Sequence, residues 1–172
     1  MDGQQWLAAC HPDPRQAQQE WEQPPYLAVF PCGSHFDVVC LPQPLALNLL
    51  WELGDEALSV PVLEYHLARR PVFYLLAEVG ITAYLQPLDE EAAVLTAGDV
   101  LPAPSPQAQT SGVQHHSRMW RTAPDGSGRL ATAGSLHSAY RRACDKERQA
   151  ARVRSARTVF WGARHTRPGR GG

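Results

Sequence analysis

Cys32, His35 and Cys40 put two thiols and an imidazole into one short stretch of the chain. Thiolate and imidazole are preferred zinc ligands. The Cys-x-x-His-x-x-x-x-Cys spacing matches no common zinc module, however, and a fourth ligand would have to come from distant Cys10 or Cys144. The four cysteines are therefore read as reduced thiols acting as small buried hydrophobes, and no metal is assigned to them. His115 and His116 are adjacent, so their side chains point apart in any extended chain, and they read as solvated loop. Pro124-Asp125-Gly126-Ser127-Gly128 lacks the Lys followed by Ser or Thr that a phosphate-cradling loop requires; it reads as a tight turn on Asp125-Gly126. No serine stands in a nucleophile-elbow setting, which removes most support for a hydrolase. Asp37 opens an apolar run, where a strand-end carboxylate ordinarily meets an amide or a guanidinium.

The strongest physical signal is charge. Residues 1–110 hold 14 acidic and 3 basic side chains, net −11, whereas 111–172 hold 3 acidic and 13 basic, net +10. Such asymmetry points to a basic arm that meets a polyanion or folds back on its own acidic domain. Between Arg141 and Arg170 lie ten basic and two acidic residues, with Tyr140, Phe160 and Trp161 available to stack on bases or on a protein. The chain has 15 Arg against the single Lys146, which fits the coding bias of a GC-rich genome, so the Arg preference is not itself read as recognition chemistry.

The elements that must position these residues follow from periodicity. Helices are expected over Gln4–Cys10, over Pro14–Trp21 behind an Asp13 cap, and over Leu45–Leu53 with Gly54 as C-terminal cap. Strands are expected at Tyr26–Phe30 and Phe36–Leu41, flanking a hairpin, at Val60–Tyr65 and Pro71–Ala77, at Val94–Leu101 with a turn at Ala97-Gly98-Asp99, and at Arg118–Thr122. Pro102 to Gly112 reads as a linker and Ser135 to about Phe160 as a long basic helix. Val29, Phe30, Val38, Val39, Leu63, Phe73, Leu75 and Val94 should cluster with Leu49 and Leu50. Helices and strands mix without strict βαβ alternation, so the expected class is α+β: a mainly antiparallel sheet with helices packed on it, plus a C-terminal basic helix and a disordered tail. Hydrophobic residues at 44% support such a core. The division expected is a domain at 1–134 and the arm and tail at 135–172.

The stretch Phe30-Pro31-Cys32-Gly33-Ser34-His35-Phe36-Asp37-Val38-Val39-Cys40-Leu41-Pro42 joins a Gly-containing turn, an apolar strand with an acid, and a Pro leading into an amphipathic helix. It resembles the first motif region of the bifunctional DNA primase/polymerase domain, in the short, often degenerate copies of high-GC bacteria. Ala97-Gly98-Asp99-Val100-Leu101-Pro102-Ala103-Pro104-Ser105 resembles that family's late segment, and Trp120 stands where the short copies carry an aromatic strand. The resemblance spans about residues 6–143. It implies a primase-polymerase fold that joins nucleotides on a DNA template with paired Mg²⁺ or Mn²⁺ ions, which need at least two converging carboxylates. The family's first motif supplies these as Asp-x-Asp on one strand face; Asp37 matches the first acid, and Val39, which cannot bind a metal, stands at the second. The family's strand-borne His has no counterpart in Arg70-Pro71-Val72-Phe73-Tyr74-Leu75, and His66 lies just before that segment. The catalytic candidate is thus Asp37 alone, with Glu64, Glu78 and Asp99 as the acids that could complete a site.

The expected function is that of a non-catalytic, nucleic-acid-associated primase/polymerase-like protein. It would hold single- or double-stranded DNA through Arg141, Arg142, Arg148, Arg152, Arg154, Arg157 and Trp161. One alternative is an active primase/polymerase, with Mg²⁺ or Mn²⁺ as its only cofactor. Another is a protein-interaction scaffold with the basic tail as docking segment. No signal-like or membrane-length apolar run is found, so a cytoplasmic protein without a membrane partner is expected.

Overall fold

The computed structural model describes residues 1–67, 70–85, 92–107 and 118–162, and the side chains of these except for 67 and 156–162. Helices α1 (Gly3–Ala9) and α2 (Pro14–Glu22) come first, followed by strands β1 (Ala28–Pro31) and β2 (Asp37–Pro42). Helix α3 (Gln43–Leu53) runs into a 3₁₀ turn at Gly54–Leu58, and then β3 (Val62–Leu67) and β4 (Arg70–Ala77) form an antiparallel pair. After a second 3₁₀ turn, Ile81–Ala83, come β5 (Ala93–Leu95), β6 (Val100–Ala103), β7 (Arg118–Thr122) and the long α4 (Ala133–Gly162). Local chemistry sets the ends. Asp2 and Gln5 form a capping box on α1, Asp13 caps α2 through Arg15 N and Gln16 N, and Gly54 ends α3 at φ +59°.

The described strands form an antiparallel five-stranded sheet in the order β5-β2-β4-β3-β7 and an antiparallel pair, β1-β6. The class is α+β, as the mixed pattern implies. The strand period of two divides the expected hydrophobic cluster between two faces. Val39, Phe73 and Leu75 turn to one side with Leu49, Leu136, Ala139 and Tyr140, so α3 and the start of α4 cover that face. Phe30, Val38, Leu63 and Trp120 turn to the other, under α1, α2 and the β1-β6 pair. Val29 joins neither core: it is 43% exposed, because it alternates with buried Ala28 and Phe30 on a short edge pair.

β1 and β2 are not partners, which corrects the expected hairpin. β1 pairs with β6 and β2 with β5, so the turn after β1 and the turn after β5 both carry the chain from one sheet to the other. The two turns meet tightly: Cys32 N donates to Asp99 O at 3.0 Å, and a Cβ on Gly33, which has φ +81°, would stand 2.5 Å from Ala97 N. Only glycine fits there. The stretch expected to be a linker also begins later than expected. Pro102 and Ala103 belong to β6, where Pro102 stands opposite Val29 in a two-stranded pair with little need of its missing N–H. Arg118 Nη1 and Trp120 Nε1 donate to the carbonyls of Pro102 and Pro104, fixing this segment to β7. Residues 108–117, with His115 and His116, and the tail 163–172 lie outside the described residues. No helix among the described residues is long and apolar enough to cross a membrane.

Candidate functional site

Asp37 starts β2 and is fully buried, on the same face as Val39. Its Oδ2 accepts backbone hydrogen bonds from Gly80 N at 2.7 Å and Ile81 N at 3.2 Å. The carboxylate thereby fastens the 3₁₀ turn to the end of the sheet. Val39, where the resemblance calls for a second acid, is 2% exposed and part of the apolar core under α3. The other acids that could join Asp37 are held elsewhere. The register places Asp37 opposite Ala77 and Glu64 opposite Phe73, two strand spacings and four residues apart, or on the order of 16 Å. Asp99 is exposed and caps its own turn through Thr96 N, and Glu78 is exposed beyond the end of β4. Among the described residues no group of three or more His, Cys, Asp or Glu side chains could hold a metal ion.

Glu64 is the second buried carboxylate, at 7% exposure. His66 Nε2 lies 3.2 Å from its Oε1 and Arg121 Nη1 lies 3.7 Å from its Oε2, and the Arg121 guanidinium also sits over the Phe73 ring. Asp37 is held by backbone through Oδ2 alone, its Oδ1 being buried without a hydrogen-bond partner among the described residues, whereas Glu64 is paired with side chains. The cysteines are free and buried. Burial pushes the Cys10 thiol up to about 11 and the Cys40 thiol up to about 12; Cys32, also near 11, is raised first by burial and then by Asp99 and Asp37. His35 is exposed, whereas Cys32 and Cys40 are buried.

The first turns of α4 belong to the core. Leu136, Ala139, Tyr140, Ala143 and Cys144 are buried, and Ser135 Oγ donates to Glu56 Oε1 at 2.7 Å. The boundary expected at residue 134 thus falls at the start of this helix, ahead of core residues. From Asp145 to Ser155 no residue is buried, so α4 emerges from the domain there. At 30 residues it is about 45 Å long. Its two flanks differ. Arg142 and Lys146 both reach Glu52 of α3, and Asn48 donates to Glu147 Oε1 at 2.7 Å. Hydrogen bonds from Lys146 and then Arg142 hold the Glu52 carboxyl below its ordinary value. On the other flank Arg141, Arg148 and Arg152 recur at spacings of seven and four, which places them on one outward stripe. Arg148 lies 3.6 Å from Asp145, and Arg154 lies 3.8 Å from Glu147. Arg157 and Trp161 are in α4, but their side chains are outside the described residues.

Comparison with family models, curated proteins and solved structures found no match to this chain. The candidate site therefore stands on its own geometry. Of the residues nominated from sequence, Arg141, Arg148 and Arg152 share a stripe, Arg142 is engaged with α3, and Asp37, at the start of β2, holds the turn at Gly80 and Ile81. A cavity of about 350 Å³ between the Ile81–Ala83 turn and α4 adds Tyr84 and His137, which sequence reasoning missed. The helical spacing of His137, Arg141 and Arg148 was visible in the sequence; the approach of Tyr84 was not, because it depends on Asp37 holding the turn.

Proposed function

We propose that this chain is a nucleic-acid-associated, non-catalytic protein of primase/polymerase-like character, which holds DNA against the outward flank of α4. The observation that carries this reading is the division of the basic residues on α4. Arg142 and Lys146 share the Glu52 carboxylate, while Arg141, Arg148 and Arg152 face solvent along one stripe. Guanidiniums spaced along one exposed face suit a phosphate backbone, and they give binding that is salt-dependent and weak in sequence preference. The net −11 of residues 1–110 would repel the same backbone, leaving the arm as the contact. The absence of polymerisation is supported by the setting of Asp37. Its Oδ2 is occupied by two backbone N–H groups and its strand neighbour on the same face is apolar Val39, whereas phosphoryl transfer needs carboxylates gathered on two metal ions.

Electrophoretic shift of single-stranded and duplex DNA at low salt, with primer extension in Mg²⁺ and in Mn²⁺ on the same preparation, tests both parts. Shifted DNA without extended product is expected. Template-dependent product that disappears in Asp37→Ala would establish the polymerase reading instead. A scaffold reading is favoured by one observation: Leu47 and Trp51, one turn apart on α3, are 40% and 78% exposed. A pull-down that depends on Trp51 and persists in high salt would support it.

A further inference from the structure

The cavity beside α4 brings an exposed aromatic ring together with two exposed guanidiniums. Tyr84 leaves the Ile81–Ala83 turn well exposed, and the buried Leu85 and Tyr140 line the same cavity. Arg141 lines the same cavity and makes no ion pair among the described residues. Arg148, two turns further along α4, completes the wall, and Asp145 lies between them. The Arg148–Asp145 pair is open to water on both sides, with side chains 53% and 76% exposed, so its internal attraction is weak and an incoming phosphate can compete for the guanidinium.

An aromatic face beside two guanidiniums is the combination that a nucleotide requires, with a ring for the base and charge for the phosphate. About 350 Å³ is near the lower end of small-ligand cavities, the scale of a single nucleotide. A paired base is already stacked on both faces and cannot turn toward Tyr84, whereas an unpaired one can. A second cavity, about 620 Å³, gathers Asp55, Glu56 and Glu78 around Arg129 and would repel a phosphate. Asp37 acts here at one remove. It holds Gly80 and Ile81, and Tyr84 N donates to Ile81 O at 3.0 Å, so the buried carboxylate positions the ring.

We propose that this cavity takes one unpaired nucleotide of a single-stranded nucleic acid, with its base against Tyr84 and its phosphate between Arg141 and Arg148. The inference rests on the reading of α4 as a nucleic-acid contact and adds strand selectivity to it.

The test is fluorescence anisotropy of the full chain with a labelled oligothymidine and with a blunt duplex at matched salt. Tyr84→Ala is expected to weaken oligothymidine binding about tenfold, the order of one lost base stack, and to leave duplex binding unchanged. Tyr84→Phe, which keeps the ring, is expected to bind like the wild type. Arg141→Gln is expected to weaken both probes. An equal loss on both probes in Tyr84→Ala, or no loss on either, would overturn the nucleotide site even while Arg141→Gln still weakens binding. Failure of the wild-type chain to bind either probe would overturn both this inference and the reading beneath it. Tyr84 is 59% exposed, so the variants are expected to fold, and an unchanged melting temperature checks this.

Discussion

Arg141 and Arg142 are neighbours on α4, yet Arg142 reaches across to Glu52 of α3 while Arg141 faces the cavity beside Tyr84 with no ion pair among the described residues. The same contrast runs along the helix. One flank, through Arg142, Lys146 and Glu147, fastens α4 to α3; the other, through Arg141, Arg148 and Arg152, faces outward. Composition alone assigns all of these residues to one basic arm. Structure separates them by what stands opposite: where a carboxylate waits on the next helix, an arginine becomes part of the scaffold, and where none does, its charge remains available to a polyanion.

The sharpest way to break this comparison is to attack the anchored side at its apolar base. Leu136 is fully buried against the α3 face of the sheet, and Leu136→Ala is expected to cost about 2–5 kcal/mol in chemical denaturation. A loss below about 1 kcal/mol would show that the start of α4 is not core. Next in size is Asp37→Ala, which removes the acceptor for Gly80 N and Ile81 N. Leaving these donors unmet is expected to cost about 1–3 kcal/mol and to loosen the turn that carries Tyr84. Amide hydrogen exchange at Gly80 and Ile81 should rise in that variant; unchanged exchange would mean that the turn holds itself.

A smaller effect is expected at Glu52, and its sign follows from the lowered carboxyl. A carboxylate held below its unfolded value, about 4.3 for Glu, adds stability above that value and loses it as the pH falls through the folded value. The stability gap between wild type and Glu52→Gln should therefore be full at neutral pH and close on acidification below about pH 4. A gap that persists or widens in acid would place the contribution elsewhere. Arg142→Gln should follow the same profile with little change in DNA affinity, since its guanidinium belongs to α3.

Much of the fold was legible in the sequence. Asp13-Pro14 marked the start of α2, Gly54 the end of α3, and apolar alternation located the central strands. What escaped was pairing across distance. Nothing local distinguishes a β1-β2 hairpin from two strands that cross between sheets, because that choice is made by Gly33 meeting Ala97 and by β6 arriving from far along the chain. The division of the basic arm escaped for the same reason, since it depends on Glu52, remote in sequence from Arg142 and Lys146. The setting of Asp37 was half legible: an amide partner for a strand-end carboxylate was the ordinary expectation, but Gly80 and Ile81 could not be named without the sheet. The core role of Leu136, Ala139 and Ala143 also has a practical consequence. Deleting residues 135–172 would strip one face of the sheet of part of its cover, so the arm must be tested by substitution.

The most direct test of the α4 contact is the salt dependence of single-strand binding in the wild type, in Arg142→Gln, and in a variant with Arg141, Arg148 and Arg152 all replaced by Gln. Each phosphate contact contributes about 0.7 to the slope of log K against log salt on a single strand. Wild type and Arg142→Gln are expected to share a slope of roughly −2 to −4, and the triple variant should flatten it by about 2 while keeping wild-type stability to within about 0.5 kcal/mol. Equal slopes in the wild type and the triple variant, or a flattening in Arg142→Gln as large as in the triple variant, would contradict the account.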